Sequence, residues 1–125
     1  MEIEGERSRE VATSLHNLGT IASDMTDYPH ALELLNQSRV MREQLFGPDD
    51  PSVADSLAFM ALIHRSRGRS EQARVMHEKV YAIRSQWGDN DFRVRPILTE
   101  LAELCTELGD EAAAERWRAK IPGDG

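Results

Sequence analysis

Apolar and polar positions along this chain follow a helical period, and the pattern occurs three times. Leu15, Leu18, Gly19 and Ala22 fall at i, i+3, i+4 and i+7, which is one face of a helix. Leu57, Met60, Ala61 and His64 repeat that phase 42 residues later, and Leu98, Leu101, Ala102 and Cys105 repeat it 41 residues further on. The second half of each unit keeps step through Ala31, Ala73 and Ala114. Turn signals separate the halves at Thr26-Asp27-Tyr28, Gly68-Arg69-Ser70 and Gly109-Asp110-Glu111. The pattern predicts helices near residues 8–24, 28–45, 51–67, 70–87, 94–108 and 111–121. Asp50 and Asp110 are the expected N-caps, with Pro51 at a first helical position, where its absent N–H costs nothing. Pro96 disfavours a helical Arg95, so the fifth helix is expected to start late or to bend.

A lone helix pair cannot bury its apolar face, whereas stacked pairs cover one another. The expected fold is therefore all-α: six helices in three stacked helix-turn-helix repeats. One domain spans residues 8–121, with units near 8–50, 51–91 and 92–121 and short tails at 1–7 and 122–125. Gly19, Ala61 and Ala102 are small where two helices must approach. The second period is one residue short, and Trp87 is expected to fill the gap between units there.

Leu15-x-x-Leu18-Gly19-x-x-Ala22, followed by Ala31-x-x-x-Leu35, resembles the tetratricopeptide repeat. The 42-residue period and the stretch "GPDDPSVADSL" resemble the kinesin light chain subtype. The resemblance implies a right-handed α-solenoid whose first helices line a concave groove. It also implies a non-catalytic module that binds a peptide segment or partner protein there. Carried over by position, the groove residues are His16, Asn17 and Thr20 from the first unit, Asp55, Phe59, Leu62 and Arg65 from the second, and Glu100 and Glu103 from the third. Asn17 matches an asparagine that holds peptide backbone in relatives. The lysine clamp that some relatives use for a C-terminal carboxylate has no counterpart on this face. The chain departs from the pattern in lacking large aromatics at the first and fourth signature positions. His77 and Arg118 also stand where the family places a bulky aromatic or apolar residue.

Charge narrows the partner. The formal net charge is -7, which disfavours nucleic acid. Arg65, Arg67, Arg69 and Arg74 cluster at the second hairpin turn, but the first turn is acidic, so no basic stripe forms. Phe59 and Leu62 supply an apolar centre, with acid toward the third unit, which suits an apolar or basic segment. No apolar run approaches the roughly 20 residues that span a bilayer, and no secretory signal opens the sequence, so no membrane contact and a cytoplasmic location are expected.

Candidate chemistry is sparse. Neither a glycine-rich phosphate loop nor a nucleophile elbow is present, and no cofactor is expected. His64, His77 and Cys105 occupy related repeat positions and are zinc-ligating types, but a fourth ligand is not evident. The plainer reading has the histidines filling aromatic-shaped slots with local hydrogen bonds, and Cys105 packing as a small hydrophobe. Trp117, Arg118 and Ile121, on a short last helix with nothing after it to cover it, are the expected association surface of a possible homo-oligomer. The alternative function is thus a self-associating scaffold element, or a segment of a longer array.

Overall fold

The computed structural model describes residues 2–123, with backbone alone for 2–6. Six α-helices follow in order: α1 (Glu2–Asp24), α2 (Tyr28–Phe46), α3 (Pro51–Ser66), α4 (Ser70–Arg84), α5 (Arg95–Glu107) and α6 (Glu111–Lys120). Among the described residues there is no strand. They pair as α1–α2, α3–α4 and α5–α6, and α2 and α4 pack on the first helix of the next unit. The expected boundaries hold at most ends and fail at three. The expected tail at 1–7 is helical from Glu2 despite Gly5, and Met1 lies outside the described residues. The fourth helix tightens into a 3₁₀ turn at Ser85–Trp87. Arg95 opens α5, because Pro96 falls in the first turn, where its missing N–H removes no helical bond. Pro122 and Gly123 of the expected C-terminal tail are irregular, and residues 124 and 125 lie outside the described residues.

Local chemistry explains the stops and starts. The Asp50 carboxylate accepts from the Ser52 backbone N–H at 3.0 Å, and that of Asp110 accepts from the Ala113 N–H at 3.1 Å. The two later hairpin turns place Gly68 and Gly109 at φ +77° and +81°. The first turn puts Thr26 at φ +62° in the equivalent place, a left-handed conformation costly for a β-branched residue.

The core runs along the stack. Ala22, Ala31, Leu35, Met60 and Ile63 join the first and second units. Val53, Leu57, Val80, Ile83, Ile97 and Leu101 join the second and third. Two buried polar ties hold the first unit in register. The Ser38 hydroxyl donates to the Ala12 carbonyl at 2.6 Å. The buried Arg42 guanidinium donates to the Ser52 carbonyl at 3.0 Å and to Ser56 Oγ at 3.1 Å, linking α2 to α3.

Candidate groove on the first helices

The face shared by α1, α3 and α5 carries the predicted groove residues, and the structure divides them into two neighbouring regions. At the centre, Phe59 and Leu62 on α3 are 40% and 45% exposed, so large apolar side chains stand open to solvent in the middle unit. The ring of His16, from α1, meets Phe59 edge-on at 5.1 Å between centroids. His16 Nδ1 lies 3.3 Å from Arg42 Nη1 and 3.5 Å from Ser56 Oγ. Burial, and then the Arg42 charge, push the His16 pKa below its ordinary value. Arg42, from α2, thus contacts the ring that packs on Phe59.

The second region is a charge cluster. The Arg65 guanidinium donates to Glu100, Glu103 and Glu107 of α5, with 3.3 Å to Glu103. These contacts, the Glu107 hydrogen bond first, raise the Arg65 pKa above its ordinary value. The acid expected toward the third unit is thus already engaged by one arginine, and Arg65 is not free to hold a partner. Three carboxylates against one guanidinium still leave an excess of negative charge, and Glu103 and Glu107 remain about half exposed. A cleft of about 540 Å³ opens beside them, lined by Thr99, Ala102, Thr106, Arg118 and Ile121 as well.

The flanking residues are less engaged. Asn17 is exposed, and its carbonyl accepts a hydrogen bond from Thr20 at 2.8 Å. Asp55 pairs with Arg84 of α4 at 2.9 Å, which draws it to the edge of the groove.

The other sequence candidates land elsewhere. Trp117 does not cover an open association surface. It folds inward, meets Tyr81 edge-on at 5.0 Å and packs on the cores beside α4 and α6. Arg118 is tied to Glu111 and to Thr106, and Ile121 is half-buried. Trp87 does not join the described core clusters that bridge the units, and the Arg93 guanidinium lies 3.4 Å over its ring instead. His64, His77 and Cys105 do not converge, and no group of three or more His, Cys, Asp or Glu among the described residues is placed to hold a metal. The histidines do not gain the expected local hydrogen bonds either, since both His77 nitrogens and His64 Nδ1 are buried without a partner. His77 Nε2 is 3.8 Å from the Glu100 carboxylate, and burial, with Arg65 and Arg84 behind it, pushes its pKa down to about 4. Burial raises the Cys105 thiol and leaves it unreactive. Sequence reading missed Arg42, although Arg84 stands one 42-residue period after it and was a usable signal.

Comparison with known proteins agrees with this geometry. The profile of the tetratricopeptide repeat family matches residues 10–86. The crystal structure of BtubC (BKLC) from P. vanneervenii is similar, with a TM-score of 0.76 and 23% sequence identity. The match covers 87% of this chain and 47% of that one, so the chain spans about half the length of that protein. No curated protein matches.

Proposed function

The chain belongs to the tetratricopeptide repeat family, and from that premise we propose that it is a non-catalytic protein-interaction module that holds a peptide segment along the α1–α3–α5 face. The observation that carries this reading is the exposed pair Phe59 and Leu62 at the centre of the stack, walled by His16 and bordered by the Arg65 cluster. Exposed apolar side chains flanked by polar groups are the usual anchors of such interfaces. The excess carboxylates beside them favour a segment with an apolar anchor followed by basic residues. The family is in general non-catalytic, and no cofactor enters the reading. Among the described residues no helix is long and apolar enough to cross a membrane, and a cytoplasmic setting fits this role. The 42-residue period and the Gly47–Pro51 loop support the kinesin light chain-like form of the repeat.

The test is selection of displayed random peptides on the purified protein. Enriched peptides are expected to combine an apolar residue with lysine or arginine. Their affinity should fall as salt rises, because exposed charges are screened. Enrichment of acidic peptides, or of none above an unrelated helical protein, would overturn the proposal.

A further inference from the structure

The first and second units differ at one ion pair. Arg84 of α4 pairs with Asp55 of α3 at 2.9 Å. One 42-residue period earlier, Arg42 stands for Arg84 and Thr13 stands for Asp55. The first unit keeps the arginine and lacks its carboxylate. Arg42 is only 8% exposed. Its Nη1 is committed to the Ser52 carbonyl, Ser56 Oγ and His16 Nδ1. Among the described residues, its Nε and Nη2 have no hydrogen-bond partner, and no carboxylate pairs with it. Burial pushes the Arg42 pKa down, and Asp55 and Asp50 offset this by charge alone, without a hydrogen bond. Arg65, touched by its carboxylates, is shifted the other way.

Arg42 borders a cavity of about 440 Å³ between α1, the end of α2 and the start of α3. Arg9 and Thr13 border it from α1, with Phe46 and Asp50 beside them. Arg9 is exposed, its guanidinium lies 5.0 Å from the centre of the Phe46 ring, and no acid among the described residues pairs with it. The Thr13 hydroxyl has no partner among the described residues either, and Thr13 is exposed. Asp50 is spent on the helix cap, where its carboxylate accepts from the Ser52 N–H at 3.0 Å and from the Ser52 hydroxyl at 2.6 Å.

We propose that this cavity is a phosphate-binding site, in which the anion takes the place that Asp55 fills beside Arg84. A buried guanidinium without a counter-ion is costly, and a bound anion removes that cost. In the second unit one carboxylate answers one arginine. In the first unit two arginines and a free hydroxyl meet at one cavity, and a phosphate group offers the two charges and three oxygens that match them. The planar fork of each guanidinium suits such paired acceptor oxygens. The site shares no residue with the Phe59 and Leu62 pair, so it stands or falls independently of the groove.

Nuclear magnetic resonance in phosphate-free, low-salt buffer tests the site through the Arg42 Nε–H signal. Inorganic phosphate and N-acetyl-phosphoserine amide should each shift it saturably, with Kd about 1 mM or tighter. Phosphoserine amide binding about tenfold tighter than phosphate assigns the site to a phosphorylated side chain, and equal affinity assigns it to the free ion. Acetate should bind about tenfold more weakly than phosphate, because it carries one charge and two oxygens. Thr13→Asp rebuilds in the first unit the pair that Asp55 makes with Arg84, so it should abolish the shift while Tm holds or rises. Thr13→Asn, of like size and uncharged, should keep the shift. Arg9→Gln, at an exposed position, should weaken phosphate about tenfold with unchanged helical circular dichroism. The proposal is overturned if neither phosphate compound shifts the Arg42 signal saturably, if the shift survives in folded Thr13→Asp, or if acetate binds as tightly as phosphate.

Discussion

Leu18 in the first unit and Leu101 in the third occupy the same place in their repeats, yet one is 51% exposed and the other 0%. Met60, between them in the stack, is 6% exposed. The residue type hardly changes; the neighbour does. Met60 and Leu101 lie beneath the second helix of the preceding unit, and among the described residues no such helix lies over Leu18. In a stack, burial is therefore a property of position in the array, and one sequence pattern yields core at one end and open surface at the other.

The largest effect should separate those two leucines. Leu101→Ala removes a fully buried side chain and should cost about 2–5 kcal/mol, whereas Leu18→Ala should stay within about 0.5 kcal/mol in monomeric protein. Chemical denaturation at low micromolar concentration reads both. Equal losses would show that the unit boundaries are misplaced.

A smaller effect belongs to His77, buried where the second and third units meet. Its folded pKa, about 4, lies below the ordinary 6.5 because of burial first and then Arg65 and Arg84. The unfolded chain therefore takes up the proton first as pH falls. The His77 contribution is intact above about pH 6.5 and is lost progressively down to pH 4, by up to about 3 kcal/mol. His77→Phe should flatten that part of the stability curve and leave the residual slope from His16 and His64, which are also pushed down. An unchanged slope in the variant would remove His77 from the account.

Two further substitutions probe what is peculiar to the first unit. Its small residue is glycine where the others have alanine. A Cβ on Gly19 would lie 2.8 Å from Leu35 Cγ and 3.3 Å from the Ala31 carbonyl oxygen. Gly19→Ala gains about 1 kcal/mol of helix propensity but meets overpacking of about 1–3 kcal/mol, so a net loss of about 1 kcal/mol is expected in thermal unfolding. Ala61→Gly, in the second unit, should lose about the propensity alone. Thr26→Gly should act in the opposite direction. It relieves the left-handed threonine at φ +62° and should stabilise by somewhat under 1 kcal/mol, a small rise in Tm. A lower Tm in Thr26→Gly would mean that the first turn is not strained as its backbone indicates.

The fold was legible because three weak copies in phase reinforce one another. Leu15, Leu57 and Leu98, at spacings of 42 and 41 residues, specify helices, turns and stacking order together. The groove was legible only as positions. Spacing placed Phe59 and Leu62 on the shared face, but nothing local shows that Arg65 gathers three glutamates across two units. Exposure in the first and last units was less legible, because it depends on how far side chains fold back onto their neighbours. Trp117, large and near the end, suggested a sticky surface, but a short last helix lets it fold back onto Tyr81. Leu18 matches the core pattern, yet it is 51% exposed, because the pattern does not record which neighbour packs over each position.

The central claim is that the exposed apolar residues at the middle of α3 anchor a partner segment. The direct measurement is a titration of three proteins, wild type, Phe59→Ala and Leu18→Glu, with a peptide selected on the wild type. Phe59→Ala should weaken the peptide tenfold or more, equivalent to about 1.4 kcal/mol, with unchanged helical circular dichroism. Leu18→Glu, an equally exposed apolar position outside the anchor pair, should leave the peptide affinity unchanged. Peptide affinity that ignores Phe59→Ala in a folded protein, or that falls as far with Leu18→Glu, would contradict it.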